Sequence, residues 1–284
     1  MPSLVGSEMC IRDRCVLCSN NSFKIVGKYG TGTDAHPQVV KCTKCGLLFT
    51  NPIRTQDSLL KLYENYDKER KDLTSHEDKL KKSVKSITSR FNPSKLSENK
   101  LKFLCIGSYT GELNKIFQDM GWDAYGIEPS EPCYKISVQK YNCKNIQNTI
   151  VEEADFEENS FDYIEFWHVL EHVENPIFVL KLIYKWLKPE GILNLGTPHS
   201  NYLVDLIYQK YAMYYSLGGP HTFSFDKNNL KIALEDIGFE IIEHVAYAKP
   251  KPAKTLKQRA KNLLINVYPN SVATLQRVQA TKPL

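Results

Sequence analysis

The stretch that most restricts the fold is 101–128, LKFLCIGSYTGELNKIFQDMGWDAYGIE. An apolar run (Leu101, Phe103, Leu104, Ile106) enters a loop carrying Gly107 and Gly111. Leu113, Ile116, Phe117 and Met120 then recur at i, i+3, i+4 and i+7, which predicts a helix, and Gly121 stands where its C-cap belongs. A second strand-like run, 124–127, ends on Glu128. Strand, glycine turn, helix, strand, acid is the order in which a βαβ unit presents a nucleotide. Glycines let the backbone approach the ligand at the helix N-terminus, and a carboxylate about 20 residues on can accept both ribose hydroxyls. Glycine-bearing turns also occur in purely structural βα loops, so this stretch alone leaves a packing role open.

The pattern continues downstream. Ser130 caps a helix over 131–141, and a strand follows over 146–151. The turn Glu158-Asn159-Ser160 introduces a strand at 161–166, which runs into Trp167-His168-Val169-Leu170-Glu171-His172-Val173. Asn175-Pro176 opens a helix with Pro at its first position, and Lys188-Pro189-Glu190-Gly191 stops it before a strand at 192–195. Asp226 caps a helix that Gly238 ends, a strand follows over 239–246, and 275–281 supplies the final, antiparallel one. Strands alternating with helices at this pace predict an α/β fold, a Rossmann-like, doubly wound and mostly parallel seven-stranded sheet.

A small N-terminal domain precedes it. Of the eight cysteines, four form Cys15-Val-Leu-Cys18 and Cys42-Thr-Lys-Cys45, separated by 23 residues. Paired C-x-x-C motifs argue for metal in a reducing compartment over a disulfide framework, and two knuckles at this spacing supply four thiolates to one tetrahedral Zn²⁺. Gly46 suits the tight turn after the second pair. β-like runs at 23–26 and 39–41 fit a zinc ribbon over 15–52. A closed four-sulfur site has no open position, so its expected role is folding and not chemistry.

Residues 1–14, MPSLVGSEMCIRDR, have no usable periodicity and resemble translated sequencing-adapter read-through, so they are expected to be a non-native leader. Residues 53–99 are polar and Lys-rich and read as helical linker or lid, and 100–284 form the main domain. From residue 249 onward there are eight Lys or Arg and no Asp or Glu, which leaves the rest of the chain at −3 against a total of +5. Within this end, 254–267 predicts a basic amphipathic helix that either meets an anionic membrane surface or packs on the sheet with its lysines in water. No apolar run approaches the roughly 18 residues of a membrane span and no secretory signal is visible. The expectation is a cytoplasmic protein, with peripheral contact at the inner membrane surface as one option.

With these motifs in order, the region from about 100 to 246 resembles the class I S-adenosylmethionine-dependent methyltransferases. The resemblance is carried by Cys105-Ile-Gly-Ser-Tyr-Thr-Gly111, Phe161-Asp-Tyr-Ile-Glu-Phe-Trp-His-Val-Leu-Glu-His-Val173 and Leu187-Lys-Pro-Glu-Gly-Ile-Leu193. With the cysteine pairs and Pro220-His-Thr-Phe-Ser-Phe225, the chain looks like the subgroup with a zinc ribbon in front, whose members often act on sugars or surface-glycan precursors. The resemblance implies S-adenosyl-L-methionine as cofactor. It places Gly107 and Gly111, with Ser108 and Tyr109 between them, against the methionine part. It puts Glu128 on the ribose hydroxyls, Thr149, Ile150 and Val151 beside the adenine, and Trp167 and His168 near the sulfonium. The family usually has an acid where this chain has Cys105, a glycine where it has Tyr109 and an Asp where it has Ile150.

Methyl transfer from a sulfonium is an in-line displacement, so alignment supplies much of the catalysis, and a hydroxyl acceptor gains from a base near its proton. Candidate histidines are His168, His172, His199 and His221. His221 is expected as base or acceptor ligand, with His168 beside it. His172 is expected to brace the turn after the fourth strand. The leading expectation is an O-methyltransferase for a small-molecule or glycan acceptor. A second is an RNA or other nucleic-acid methyltransferase that holds RNA through ribbon and basic tail, against which the catalytic half shows no interleaved basic-aromatic stretch and no Asn-Pro-Pro-Tyr-like motif. A third is a non-catalytic binding module, motivated by Cys105 and Tyr109.

Overall fold

The computed structural model describes residues 9–10, 13–28, 38–54, 84, 100–200, 221–247 and 273–284. The helices expected within 53–99 (apart from Val84), the tyrosine-rich segment 202–215, Pro220 and the basic helix at 254–267 lie outside the described residues.

In chain order the elements are β1 (Met9–Cys10), β2 (Phe23–Lys28), β3 (Gln38–Cys42), β4 (Leu48–Asn51), β5 (Ile53–Arg54), β6 (Lys102–Ile106), α1 (Glu112–Asp119), β7 (Asp123–Ile127), α2 (Glu131–Gln139), β8 (Asn145–Gln147), β9 (Phe161–Trp167), α3 (Pro176–Trp186), β10 (Leu187–Pro198), β11 (Phe223–Ser224), α4 (Lys227–Ile237), β12 (Glu240–Tyr247) and β13 (Leu275–Thr281). Seven strands form the expected sheet in the order β12-β13-β10-β9-β6-β7-β8. The order reverses beside β6, the topological switch point where open α/β sheets bind ligands at the C-terminal strand ends. A second sheet, β11-β4-β3-β2, is antiparallel, and β1 pairs with β5.

By compactness the chain forms two units, one of residues 60–167, 181–194 and 281–284, the other of 1–59, 168–180 and 195–280. In the former, β6 pairs in parallel with β7 and β9, with Ile106 opposite both Ile127 and Phe166. The C-terminal ends of these three strands are therefore level, and Gly107, Glu128 and Trp167 meet at one edge of the ladder. Four consecutive residues of β6, Phe103 to Ile106, are buried, as expected of a parallel strand covered on both faces. Phe103 stacks on Phe117 of α1 at 3.8 Å between centroids, Phe117 meets Trp122 edge-on at 5.1 Å, and Leu101, Val84, Ala124 and Tyr163 complete that core. Half-buried Phe156 meets buried Phe161 and Trp186 edge-on at 5.1 and 5.3 Å and forms a second aromatic cluster.

Strand β8 is shorter than the sequence suggests. The Asn148 amide turns back to donate to the Glu128 carbonyl at 2.8 Å, and Thr149, Ile150 and Val151 lie beyond the strand. Conversely, β10 is longer than expected: Lys188-Pro189-Glu190-Gly191 does not form a loop but continues the chain as strand directly from α3. Glu190 there donates its amide to the Lys282 carbonyl at 2.7 Å, which ties the terminal residues to the strand.

The helix caps follow the sequence. Ser130 Oγ accepts from the Cys133 amide, and Asp226 accepts from the Asn228 and Asn229 amides while the Asn229 side chain accepts from the Asp226 amide. Gly238 closes α4 at φ 114, a left-handed value that glycine takes without strain. Asp226→Ala removes the Oδ1 that accepts from both amides, leaving only the Asn229 half of the capping box, and is expected to cost about 1–2 kcal/mol of stability, measured by urea unfolding. Among the described residues no helix is long and apolar enough to cross a membrane.

Candidate active site

The glycine loop is shaped by left-handed backbone at three positions: Gly107 (φ 73), Tyr109 (φ 51) and Gly111 (φ 82). Both Gly107 and Ser108 donate their amides to the Ile127 carbonyl, at 2.9 and 3.0 Å, which binds the loop to the end of β7. Glu128 then reaches back across the loop. One carboxylate oxygen accepts from the Tyr109 amide at 2.6 Å, and the other from the Ser130 amide at 3.0 Å. A carboxylate oxygen has two lone pairs, so accepting one amide does not use up its acceptor capacity. Tyr109 thus occupies a glycine-like conformation, and its amide serves the acid that the family pattern places on the ribose.

The two glycines do different work. Gly111 is the N-cap of α1, and a Cβ there would lie 2.6 Å from Ser137 Cβ and 3.0 Å from Cys143 Sγ. Its small size is therefore demanded by the packing of α2 against the loop. Gly111→Ala combines a left-handed penalty of about 1–2 kcal/mol with overpacking of about 1–3 kcal/mol. The expected loss of about 2–5 kcal/mol is readable by denaturant unfolding. Gly126 in β7 is similarly enclosed, with Ser108 and Ile146 at 3.0 and 2.6 Å from its would-be Cβ.

Beneath the loop, Cys105 stands where the family has an acid. Burial pushes its thiol well above the usual range, and the charges of Glu165 and Glu128 push it further, so it is a neutral side chain. Glu165, not singled out in the sequence, is held in the interior by the Tyr163 hydroxyl at 2.6 Å and the Asn194 amide at 2.9 Å. At the adenine-side positions Val151 is buried, and the Thr149 hydroxyl donates to Glu153 at 3.1 Å. Trp167 is the last residue of β9.

The histidines gather in the other unit. Glu171, wholly buried, accepts a hydrogen bond from the Thr197 hydroxyl on one oxygen at 3.0 Å. Its second oxygen lies 3.1 Å from His168 Nδ1 and 3.9 Å from His172 Nε2. The rings of His172 and His221 meet at 4.7 Å between centroids. His168, at φ 55, is another non-glycine residue in left-handed conformation, and its side chain is 39% exposed. Burial pushes the Glu171 carboxyl up, but the His168 hydrogen bond and the charges of His172, His168 and His221 outweigh it, so the net shift is downward. The structure thus brings together His168, His172 and His221 around an acid that sequence reasoning did not assign a role. Its legible signal was a lone carboxylate inside the apolar run Val169-Leu170-Glu171, three residues after one histidine and directly before another. His199 belongs to different contacts: its amide bonds the Thr274 carbonyl at 3.0 Å, and burial pulls its pKa down.

The cysteine module reaches the same place. Ser19 (φ 56) and Gly46 (φ 77) each follow the second cysteine of a pair, so both knuckles turn through a left-handed residue. The four sulfurs of Cys15, Cys18, Cys42 and Cys45 lie within 4.8 Å of one another, with Cys15–Cys45 and Cys18–Cys42 at 3.5 Å. Tetrahedral bonds of about 2.3 Å to Zn²⁺ set sulfur–sulfur edges near ~3.8 Å, so the residues present fit such an ion. The Cys45 thiol and backbone amides together pull Cys15 down to about 5, toward the thiolate a metal requires. Strand β4 of this module pairs with β11, and the Thr50 amide bonds the Thr222 carbonyl at 3.0 Å. Thr222 and Phe223 in turn donate their amides to the Glu171 carbonyl, at 2.8 and 3.2 Å. His221 therefore sits at the head of a strand that the cysteine module holds.

The sheet order, the glycine loop at its switch point and the acid after the second strand define a Rossmann-like fold with a nucleotide-type cofactor cradle. Residues 76–244, more than half of the chain, match the family described as a methyltransferase domain, and the chain belongs to that family of S-adenosylmethionine-dependent methyltransferases. No curated protein sequence matches it. Among solved structures, it is similar to the complex between the Haloferax volcanii Trm112 methyltransferase activator and a putative methyltransferase. The match has 14% identity, a TM-score of 0.56 and coverage of 81% of this chain and 100% of that one. The Burkholderia thailandensis 1,6-didemethyltoxoflavin-N1-methyltransferase, solved with bound 1,6-didemethyltoxoflavin and S-adenosylhomocysteine, matches at 12% identity and a TM-score of 0.55, covering 91% of this chain and 100% of that one. The [4+2]-cyclase SpnF matches at 15% identity and 0.52, covering 81% and 94%. At such identities these likenesses establish the fold.

Proposed function

We propose that this methyltransferase moves the methyl group of S-adenosylmethionine to a hydroxyl of a sugar or surface-glycan precursor. The observation that carries the reading is the contact of His168 with buried Glu171, Nδ1 to carboxylate at 3.1 Å. A carboxylate on Nδ1 fixes the tautomer whose Nε2 lone pair can take a proton, the arrangement that a hydroxyl acceptor needs. His168 is the base in this reading, and His221 belongs to the group that holds the acceptor. Gly107, Ser108, Tyr109 and Glu128 carry the methionine and ribose of the cofactor. The chain's own contribution to the step is alignment of acceptor oxygen and methyl carbon, worth several orders of magnitude in rate. Cys15, Cys18, Cys42 and Cys45 hold a structural Zn²⁺ that keeps β11 in place. The basic residues after 249 provide a peripheral contact with anionic membrane.

The test is transfer of labelled methyl from S-adenosylmethionine to nucleotide sugars, glycan precursors and RNA in parallel. Transfer to a sugar hydroxyl is expected, with kcat reduced roughly 10²–10⁴-fold in His168→Ala and S-adenosylhomocysteine affinity unchanged. Transfer to RNA alone would replace this reading with the nucleic-acid one. Cofactor binding without transfer to any acceptor would favour a different chemistry on the same fold, as the cyclase SpnF has by its description.

A further inference from the structure

We propose that Glu171, His172 and His221 form a site for one divalent transition-metal ion, separate from the four cysteines. One ligand atom from each residue lies within 4.8 Å of the other two. Metal–nitrogen and metal–oxygen bonds of about 2.0–2.2 Å place ligand atoms roughly 3–4 Å apart, so closing on an ion needs movement of under about 1 Å. Two imidazoles and one carboxylate are the donor set of metal centres that keep open positions, in contrast to a closed four-sulfur site.

The surroundings are arranged as a metal's outer shell is. Thr197 holds one oxygen of Glu171 at 3.0 Å, and the other lies between His168 Nδ1 at 3.1 Å and His172 Nε2 at 3.9 Å. Ligating carboxylates are oriented by such hydrogen bonds. Both arms of the site are backbone-anchored: the His172 amide donates to the Val169 carbonyl at 2.9 Å, and Thr222 and Phe223 donate to the Glu171 carbonyl. A divalent ion would add to the hydrogen bonds from Thr197 and His168 that already hold the buried Glu171 carboxylate. The cluster is not sealed, because the His172 side chain is 13% exposed and that of His168 39%. An ion there has open positions for an acceptor oxygen next to His168; this second role rests on the methyl-transfer reading, whereas metal binding does not.

The experiment uses the full chain, purified with one equivalent of zinc in the cysteine module and titrated with Co²⁺. Zinc stands above cobalt in affinity for a common site, so Co²⁺ does not displace it from the thiolates. One further equivalent is expected, with visible d–d absorption and without the near-ultraviolet band that thiolate-bound cobalt shows. His221→Ala and His172→Ala are expected to abolish it. Thr197→Val, which leaves every ligand in place, is expected to weaken it about 10–100-fold. No second equivalent in a folded protein would overturn the site, and so would unchanged affinity in His221→Ala. Should His221→Ala lose its far-ultraviolet dichroism, Thr197→Val decides, and wild-type affinity there overturns the site. The titration contains neither methyl donor nor acceptor. Silence with normal S-adenosylhomocysteine binding therefore counts against the metal alone, while failure of cofactor binding counts against the methyltransferase reading alone.

Discussion

Glu128→Ala is expected to lower affinity for S-adenosylhomocysteine by at least about 100-fold, measured by calorimetric titration. The carboxylate accepts from the amides of Tyr109 and Ser130, and hydrogen bonds to a charged group are worth about 1.5–3 kcal/mol each. Its removal frees the Tyr109 amide, so the strained left-handed turn at φ 51 loses the contact that holds it, and the ribose loses its acceptor at the same time. A factor of 100 corresponds to about 2.7 kcal/mol, less than the sum of those losses. Glu128→Gln, which keeps one acceptor oxygen, is expected to fall between the two. Unchanged affinity in Glu128→Ala would mean that the ribose is held elsewhere.

Loss of the cysteine cluster is expected to have the opposite signature. Structural Zn²⁺ contributes roughly 10–16 kcal/mol in small metal-folded modules, so Cys42→Ser should unfold β2, β3 and β4. Strand β11 then loses its partner, and with it the segment whose amides bond the Glu171 carbonyl. Methyl transfer is expected to fall below detection while S-adenosylhomocysteine affinity stays within about twofold, because Gly107, Tyr109 and Glu128 are held by hydrogen bonds to Ile127, Ser130 and one another within residues 60–167. Assay and calorimetry on the same sample read both. A variant that loses cofactor affinity as well would show that the cradle depends on the module.

Local chemistry was legible in the sequence, and long-range pairing was not. Strand, loop, helix and acid over 101–128 were readable because period and glycine position are set within a few residues. The caps Ser130 and Asp226 and both C-x-x-C pairs were readable for the same reason. The pairing of Phe223–Ser224 with Leu48–Phe49 was not, since a two-residue strand has no periodicity and its partner is far away in the chain. Gly111 was read as a ligand glycine, while its crowding by Ser137 and Cys143 depends on a helix whose approach no local pattern encodes. Lys188-Pro189-Glu190-Gly191 has the composition of a turn, but the tie from Glu190 to Lys282 carries it as strand. Glu171 was visible as an acid in an apolar run; its meaning required His221, which folding brings to it from beyond 200.

The short strand β11 also bears on how this protein can be cut and expressed. Trimming the chain to its methyl-transfer core by deleting the cysteine module leaves Phe223 without Phe49, its ring partner at 6.2 Å, and turns a paired ladder into an open edge. Exposed edges that carry aromatic side chains recruit other chains. A core-only fragment is therefore expected to aggregate, so a minimal version of this enzyme has to retain residues 15–54 with all four cysteines, and swaps of the module between relatives have to carry 221–226 along with it.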